Sequence, residues 1–242
     1  MIPIQRLVCH LVIITLISGF IIPAADATEY TVLPTGGEFT SIQAAINRAI
    51  PGDTLLVSSG TYHENLLLDK KINLIGIDNG GGAPIIDPLN KGNAIELIAD
   101  GCRVEGFIIQ NAEVFNGIHI RSNENTLIHN TFLNNANGIY FNSAMKNTIN
   151  ANTISNSSKV GIALITSNDN LIEENLLSKN AIGIGLDEYS LSNHIYRNQF
   201  DNSQNVISKS ATSVWSSPQQ FTYTYLGNDK QNYMGNYWSD YR

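Results

Sequence analysis

Four stretches of this chain repeat one another: GIHIRSNENTLIHNTFLNNAN, GIYFNSAMKNTINANTISNSSKV, GIALITSNDNLIEENLLSKNAI and GIGLDEYSLSNHIYRNQFDNSQ. They begin at Gly117, Gly138, Gly161 and Gly183, at intervals of 21, 23 and 22 residues. A period of this length constrains the fold more than any local propensity. No single unit buries its own apolar face, so neighbouring units must stack. Within each unit a G-I-x-[IFL] stretch is followed by N-x-[IL] and then N-x-[FIL]. The apolar residues alternate, with Ile118 and Ile120 flanking His119, and Ile139 and Phe141 flanking Tyr140. Period two means strands with one buried face. Strands this short do not make a meander, and two-residue hairpin signals are scarce. Each unit therefore makes one turn and pairs in parallel with the next, about 4.8 Å away. The twist preference of parallel crossovers makes the winding right-handed. The fold class is all-β: a single-stranded, right-handed parallel β-helix with three short strands per coil.

Stacking puts inward residues in columns: Ile118, Ile139, Ile162 and Ile184; Leu127, Ile149, Ile172 and Ile195; Phe132, Ile154, Leu177 and Phe200. The asparagines fall in register too. Asn125, Asn147, Asn170 and Asn193 share one repeat position, and Asn130, Asn152, Asn175 and Asn198 another. Two reasons are expected: asparagine tolerates the left-handed conformation of a tight corner, and its amide bonds to the identical residue one coil away. Residues 94–116 fit one more coil, and residues from Asp53 one or two others. Seven or eight coils make a rod roughly 35 Å long.

A solenoid needs caps at both ends. In FTSIQAAINRAIPGD, Thr40 is placed to N-cap a helix whose Ile42, Ala45, Ile46 and Ala49 form an apolar stripe, stopped by Pro51-Gly52. After Gln204 the period dissolves into SVWSSPQQFTYTYLGNDKQNYMGNYWSDYR, in which FTYTY alternates as a strand. Trp215, Phe221, Tyr223, Tyr225, Tyr233, Tyr237, Trp238 and Tyr241 either close the core or offer a sugar-stacking platform. The divisions are a signal peptide over 1–27, an N-terminal strand and capping helix over 28–52, repeats over 53–204, and an aromatic-rich cap over 205–242, complete or truncated.

The signal reading rests on Arg6, the apolar run Leu7 to Ile22 and the A-x-A site Ala25-Asp26-Ala27, with cleavage expected after Ala27 and an uncleaved anchor helix as the alternative. The mature chain then holds one cysteine, Cys102, so no internal disulfide stabilises it. Net charge is −7 with 14% charged residues and no basic cluster, which argues against nucleic acid as partner. No membrane contact is expected beyond the signal segment.

The opening TVLPTGGEFTSIQAAINRAIPGDTLLVSSGTYHENLLLDKKINLIG resembles the start of pectin-lyase-like β-helix proteins. Together with the Asn-rich repeats and the closing NYMGNYWSDY, the chain is similar to NosD-like, carbohydrate-binding/sugar-hydrolase (CASH) repeat proteins. The resemblance implies an exported or cell-surface protein of archaeal type, and the family name implies copper. In longer relatives an acidic, glycine-rich stretch follows the aromatic motif; here the chain ends at Arg242. Such repeats specify fold far more than function.

The chemistry-bearing residues are sparse. GTYHEN, Gly60 to Asn65, resembles the G-x-Y-x-E segment of pectin methylesterases, but the motifs that carry their catalytic aspartates are missing, so it reads as a first-coil fold signature. Glycoside hydrolysis needs two carboxyls. Asp187 and Glu188 are the weak candidates, with Glu173 and Glu174 one coil back; Glu174 is expected to pair with Arg197. Copper prefers clustered Cys, Met and His, whereas His63, His119, His129 and His194 are scattered, and no metal or other cofactor is expected. One outward row, His119, Tyr140, Ala163 and Gly185, shrinks along the rod into a shallow step. Beside it lie Arg121, Asn142, Ile165 and Asp187. Candidate carbohydrate contacts are His119, Arg121, Tyr140, Asn142, Tyr237 and Trp238. Asn156-Ser157-Ser158 is the one N-x-[ST] sequon, so Asn156 is the candidate glycosylation site.

The expected function is that of an exported, non-catalytic β-helix that binds polysaccharide or other envelope components or acts structurally. Alternatives are a lyase or hydrolase with an unrecognised site, and an accessory factor in copper-enzyme maturation. The oligomeric state has no sequence signature.

Overall fold

The computed structural model describes residues 27–210 and 212–240. Each repeat makes one right-handed coil, and equivalent strands of successive coils pair in parallel into three sheets. The glycine sheet holds Leu66–Leu68, Ile95–Leu97, Asn116–Ile120, Asn137–Asn142, Val160–Ile165, Ile182–Leu186 and Gln204–Ser208. An opening sheet of eight strands begins at Glu29–Val32 and ends at His194–Tyr196. A closing sheet of eight runs from Thr61–Tyr62 to Tyr237–Trp238. The expected columns are present: Ile118 pairs Ile139, Ile139 pairs Ile162, and Ile162 pairs Ile184, all fully buried. The interior is one continuous apolar cluster from Val32 to Phe200.

The asparagines stack as two ladders, one per corner. Asn125 N donates to Asn147 Oδ1 at 2.9 Å, Asn147 N to Asn170 Oδ1 at 2.9 Å, and Asn170 N to Asn193 Oδ1 at 3.0 Å. Asn130, Asn152, Asn175 and Asn198 repeat the pattern, and Asn198 continues it to Asn236 of the closing motif at 3.0 Å. The first of the two expected reasons is corrected. The left-handed residue at each corner is the one before the asparagine: Glu124, Lys146, Asp169 and Ser192 at one, His129, Ala151, Glu174 and Arg197 at the other. Ladder asparagines are chosen for their amide, which bridges coils while buried.

A third ladder occupies the remaining corner. Asn135 Oδ1 accepts from Ala112 N, Asn180 Oδ1 from Ser157 N, and Asn202 Oδ1 from Asn180 N. Ser157 interrupts it, and its buried Oγ finds no partner. The repeat glycines stand against this ladder. A Cβ on Gly117 would lie 2.9 Å from Asn135 Nδ2, and one on Gly161 3.1 Å from Asn180 Nδ2. Each would also meet the next coil's carbonyl, at 2.7 Å for Gly117, Gly138 and Gly161 alike.

The helix Ile42–Arg48 closes the N-terminal end, burying Ile42, Ala45 and Ile46. Its N-cap is Ser41, not Thr40. Glu64 decides this: its carboxylate accepts from Ser41 Oγ at 2.7 Å, Ile42 N at 2.8 Å and Gln43 N at 2.9 Å. Anionic acceptors at a helix N-terminus satisfy its free N–H groups. The buried Tyr62 donates to Ser58 O at 3.0 Å. GTYHEN is thus the joint between helix and first coil.

At the other end Trp238 stacks on Phe200 at 4.6 Å, extending the third column, and Trp215 packs on it at 6.0 Å. Gln220–Tyr225 and Asn228–Tyr233 form an antiparallel hairpin on which Tyr223, Tyr225 and Tyr233 are exposed. The aromatic segment is therefore both a cap and an open surface. Among the described residues no helix is long and apolar enough to cross a membrane. Apart from Ala27, the signal segment lies outside the described residues, as does Tyr241.

Candidate functional site

On the outward row of the glycine sheet, polar and aromatic side chains converge beside a recess. Parallel pairing sets Leu67, Glu96, His119, Tyr140, Ala163, Gly185 and Ile207 side by side on successive coils. Asn93 Nδ2 donates to Glu96 Oε1, and Glu96 Oε2 lies 3.2 Å from His119 Nδ1 and 3.9 Å from Arg121 Nε. The Tyr140 ring meets the His119 ring edge-on, 5.3 Å between centroids. His119 Nε2 is buried with no hydrogen-bond partner. The line Asn93, Glu96, His119 ends against the Tyr140 ring, which pairs with Ala163 on the next coil.

Beyond Tyr140 the outward side chains shrink to Ala163 and Gly185. Ala163 and Gly185 floor a shallow recess of about 220 Å³, with Val160 and Ile182 on one flank and Ile165 and Asp187 on the other. Ile207 and Lys209 close its far end. The floor is apolar and the rim carries Asp187 and Lys209. An apolar floor beside an aromatic ring and separated polar groups suits a ring with one C–H face and hydroxyls at its edge.

The sequence candidates divide between two regions. His119, Arg121, Tyr140 and Asn142 lie on this face. Tyr237 and Trp238 sit on the last strand of the closing sheet, with Trp238 engaged on Phe200 and Tyr237 exposed. Asp187 lines the recess, but its carboxylate is committed to its own turn. Asp187 Oδ1 accepts from Ser190 Oγ at 2.6 Å, Tyr189 N at 3.2 Å and Thr166 N at 3.1 Å. Glu188 is exposed. Glu174 and Arg197 form the expected pair at 2.8 Å, and Arg197 also lies over the Phe221 ring at 4.9 Å. Sequence reasoning missed Glu96, Asn93 and Lys209. Aligning AIEL at Ala94 with GIHI would have placed Glu96 in the row.

The copper implied by the resemblance does not fit the donors present. Among the described residues no three His, Cys, Asp or Glu side chains cluster. Burial pushes the Cys102 thiol up, and Cys102 Sγ donates to Lys70 O, so it is held as a protonated core group. His119 Nδ1 and His129 Nδ1 each face a carboxylate, Glu96 and Glu105 respectively, on separate sheets.

Comparison with known proteins gives a consistent fold. The family model described as periplasmic copper-binding protein (NosD) matches residues 47–242. A cell surface glycoprotein of Methanothermus fervidus is 32% identical over 115 residues, 46% of this chain and 18% of that protein. The chain thus spans under a fifth of that relative's length. Among solved structures, pectate lyase Pel9A superposes with a TM-score of 0.63 at 18% identity, over 77% of this chain and 57% of that one. An alginate lyase from Paenibacillus sp. superposes with a TM-score of 0.51 at 12% identity, over 72% and 75%. At these identities the likeness is one of fold.

Proposed function

The chain belongs to the NosD family, and from that premise we propose that it is an exported, non-catalytic β-helix that binds polysaccharide of the cell envelope along its glycine sheet. The observation that carries this reading is the step from Tyr140 down to Ala163 and Gly185. A pyranose ring laid on that floor would turn its C–H face to Ala163 and its edge to Tyr140, with Asn142, Arg121 and Lys209 in reach of hydroxyl or carboxylate groups. Successive coils repeat at about 4.8 Å, a spacing suited to a linear chain lying along the rod. The family's description as periplasmic and the name of the surface glycoprotein relative support a protein that works outside the cytoplasm. Two fold neighbours are named for pectate and alginate, so polymers of that kind are the first to try as ligands.

The carboxylates favour a reading of binding without hydrolysis. Hydrolysis needs two of them across the scissile bond. Among the residues that line the recess Asp187 is the one carboxylate, and its oxygens are taken by Thr166, Tyr189 and Ser190.

The test is retention of the protein on immobilised polygalacturonate and alginate, comparing wild type with Gly185→Leu. Wild type should be retained and the variant, its floor filled, should elute at least tenfold more readily. Equal retention of both would remove the recess as the site. Release of new reducing or unsaturated ends by wild type would replace binding with catalysis.

A further inference from the structure

A second recess lies away from the glycine sheet's face. It measures about 430 Å³ and is lined by Glu113, Val114, Asn134, Asn135, Asn156 and Ser158. It opens at the corner of the third ladder, under the protruding segment Glu113 to Phe115. Val114 is 63% and Phe115 39% exposed, an apolar pair with no cover on the outside of the rod. Asn156 and Ser158 of the chain's single N-x-[ST] sequon, Asn156-Ser157-Ser158, also line it.

Asn156 differs from the ladder asparagines in every respect that matters for modification. They are buried, with both amide atoms engaged between coils. Asn156 is the left-handed residue one position earlier, φ 56°, so its side chain points outward and is exposed. Among the described residues its amide enters no hydrogen bond, while the backbone is pinned by Asn156 N to Ser178 O at 3.3 Å and Ser157 N to Asn180 Oδ1 at 2.9 Å. The sequon hydroxyl, Ser158 Oγ, is exposed and makes one long contact, 3.5 Å to Glu113 O. A substituent on Asn156 Nδ2 therefore displaces nothing in the fold.

We infer that Asn156 carries an N-linked glycan whose first sugar occupies this recess and covers Val114. Attachment is a transfer from a polyisoprenyl-phosphate-linked oligosaccharide, by a transferase on the exported side of the membrane. Asn156 Nδ2 attacks the anomeric carbon, the bond from that carbon to the phosphate oxygen breaks, and the lipid phosphate leaves with the electron pair. The amide nitrogen gives up one proton to a base of the transferase. The pyranose C–H face then packs on Val114, and Glu113, Asn134 and Ser158 meet its hydroxyls. The inference rests on export but not on polysaccharide binding, since the recess and the stepped face are separate.

Mass spectrometry on protein taken from the extracellular fraction of its native source tests it, because export is then established in the same sample. The peptide containing Asn156 should carry a saccharide mass. Asn156→Gln and Ser158→Ala should lose it, and Ser158→Thr should keep it. Ser158→Ala removes only an exposed contact, so loss of the adduct in that variant is not a folding effect. Seating is read separately, in a Val114→Cys variant labelled with a maleimide. Labelling should be several-fold slower with the glycan present than in the double variant with Ser158→Ala. Unmodified Asn156 in exported protein would overturn the assignment. Equal labelling rates would overturn the seating of the sugar in the recess.

Discussion

The buried asparagine is the residue on which this fold turns. Asn152 Oδ1 accepts from Asn130 N, while Asn152 Nδ2 donates to Leu127 O at 3.0 Å and to Asn175 Oδ1 at 3.0 Å. It satisfies two buried backbone groups of the preceding coil and ties them to the asparagine of the next, and an unpaired buried donor costs about 1–3 kcal/mol. Ser157 shows what is lost without it: a buried hydroxyl with no partner in the third ladder. Ser157→Asn should repair the ladder, because Gly138 leaves the space beside residue 157 that Gly117 leaves for Asn135. The expected gain is about 1 kcal/mol, read as a rise in Tm of roughly 2–4 °C. A lower Tm would show that the gap is not a missing amide. Two ladders were legible from Asn spacing alone, whereas Ala112 and Ser157 broke the register of the third. Tyr196 makes a second prediction. Burial first, then the hydrogen bond and negative charge of Glu173, raise its pKa to about 12 from 10.0. A folded-state pKa above the unfolded value means stability that is complete below pH 10 and declines as pH rises toward 12. Tyr196→Phe should flatten that decline in alkaline denaturation curves, and an unchanged slope would exclude Tyr196 as its source.

Among the elements, the glycine strands show how one residue type serves two ends. Gly161 lies at the inner corner, where a Cβ would come within 2.7 Å of Gly183 O, a backbone atom that cannot step aside. Gly185 lies on the outer face, where the nearest atom to a Cβ is Val160 Cγ1 at an ordinary 3.5 Å. Gly161→Ala should therefore destabilise by about 1–3 kcal/mol through overpacking, while Gly185→Ala should leave chemical denaturation unchanged. Equal effects would mean that the inner corner has slack the geometry does not show. Sequence periodicity put the two glycines in equivalent strands of neighbouring coils but could not show how differently they are crowded, because the obstruction at Gly161 comes from the following coil. Glu64 eluded the sequence for a similar reason. Its carboxylate caps a helix more than twenty residues earlier in the chain, a contact created only by the first turn of the solenoid. Thr40 was a reasonable N-cap by local pattern and lost to Ser41, which Glu64 holds. Glu64→Ala should free two helix N–H groups and cost about 1–3 kcal/mol, with loss of helical circular dichroism preceding loss of the β signal on heating.

The whole molecule behaves as a stack in which strand pairing joins each coil to its immediate neighbours, so stability sums to a first approximation over coils and their interfaces. That separates fold from function in a way a globular enzyme does not allow. Excising residues 161–182 joins Val160 to Gly183 and keeps every column in register. Ile139 would pair with Ile184, Asn147 would bond to Asn193, Asn152 to Asn198, and Ser157 N to Asn202. The shortened chain should fold as a rod about 4.8 Å shorter by solution scattering, unfold in one transition, and have a lower Tm than wild type. The outer face fares differently, because the excised coil carries Ala163, Val160's pairing partner Ile182, and Ile165. Tyr140 would then stand directly against Gly185, the recess would lose half its floor, and retention on polygalacturonate or alginate should fall to the level of Gly185→Leu. If the shortened rod folds and still binds as wild type does, the ligand lies elsewhere, and the exposed tyrosines of the C-terminal hairpin become the surface to test.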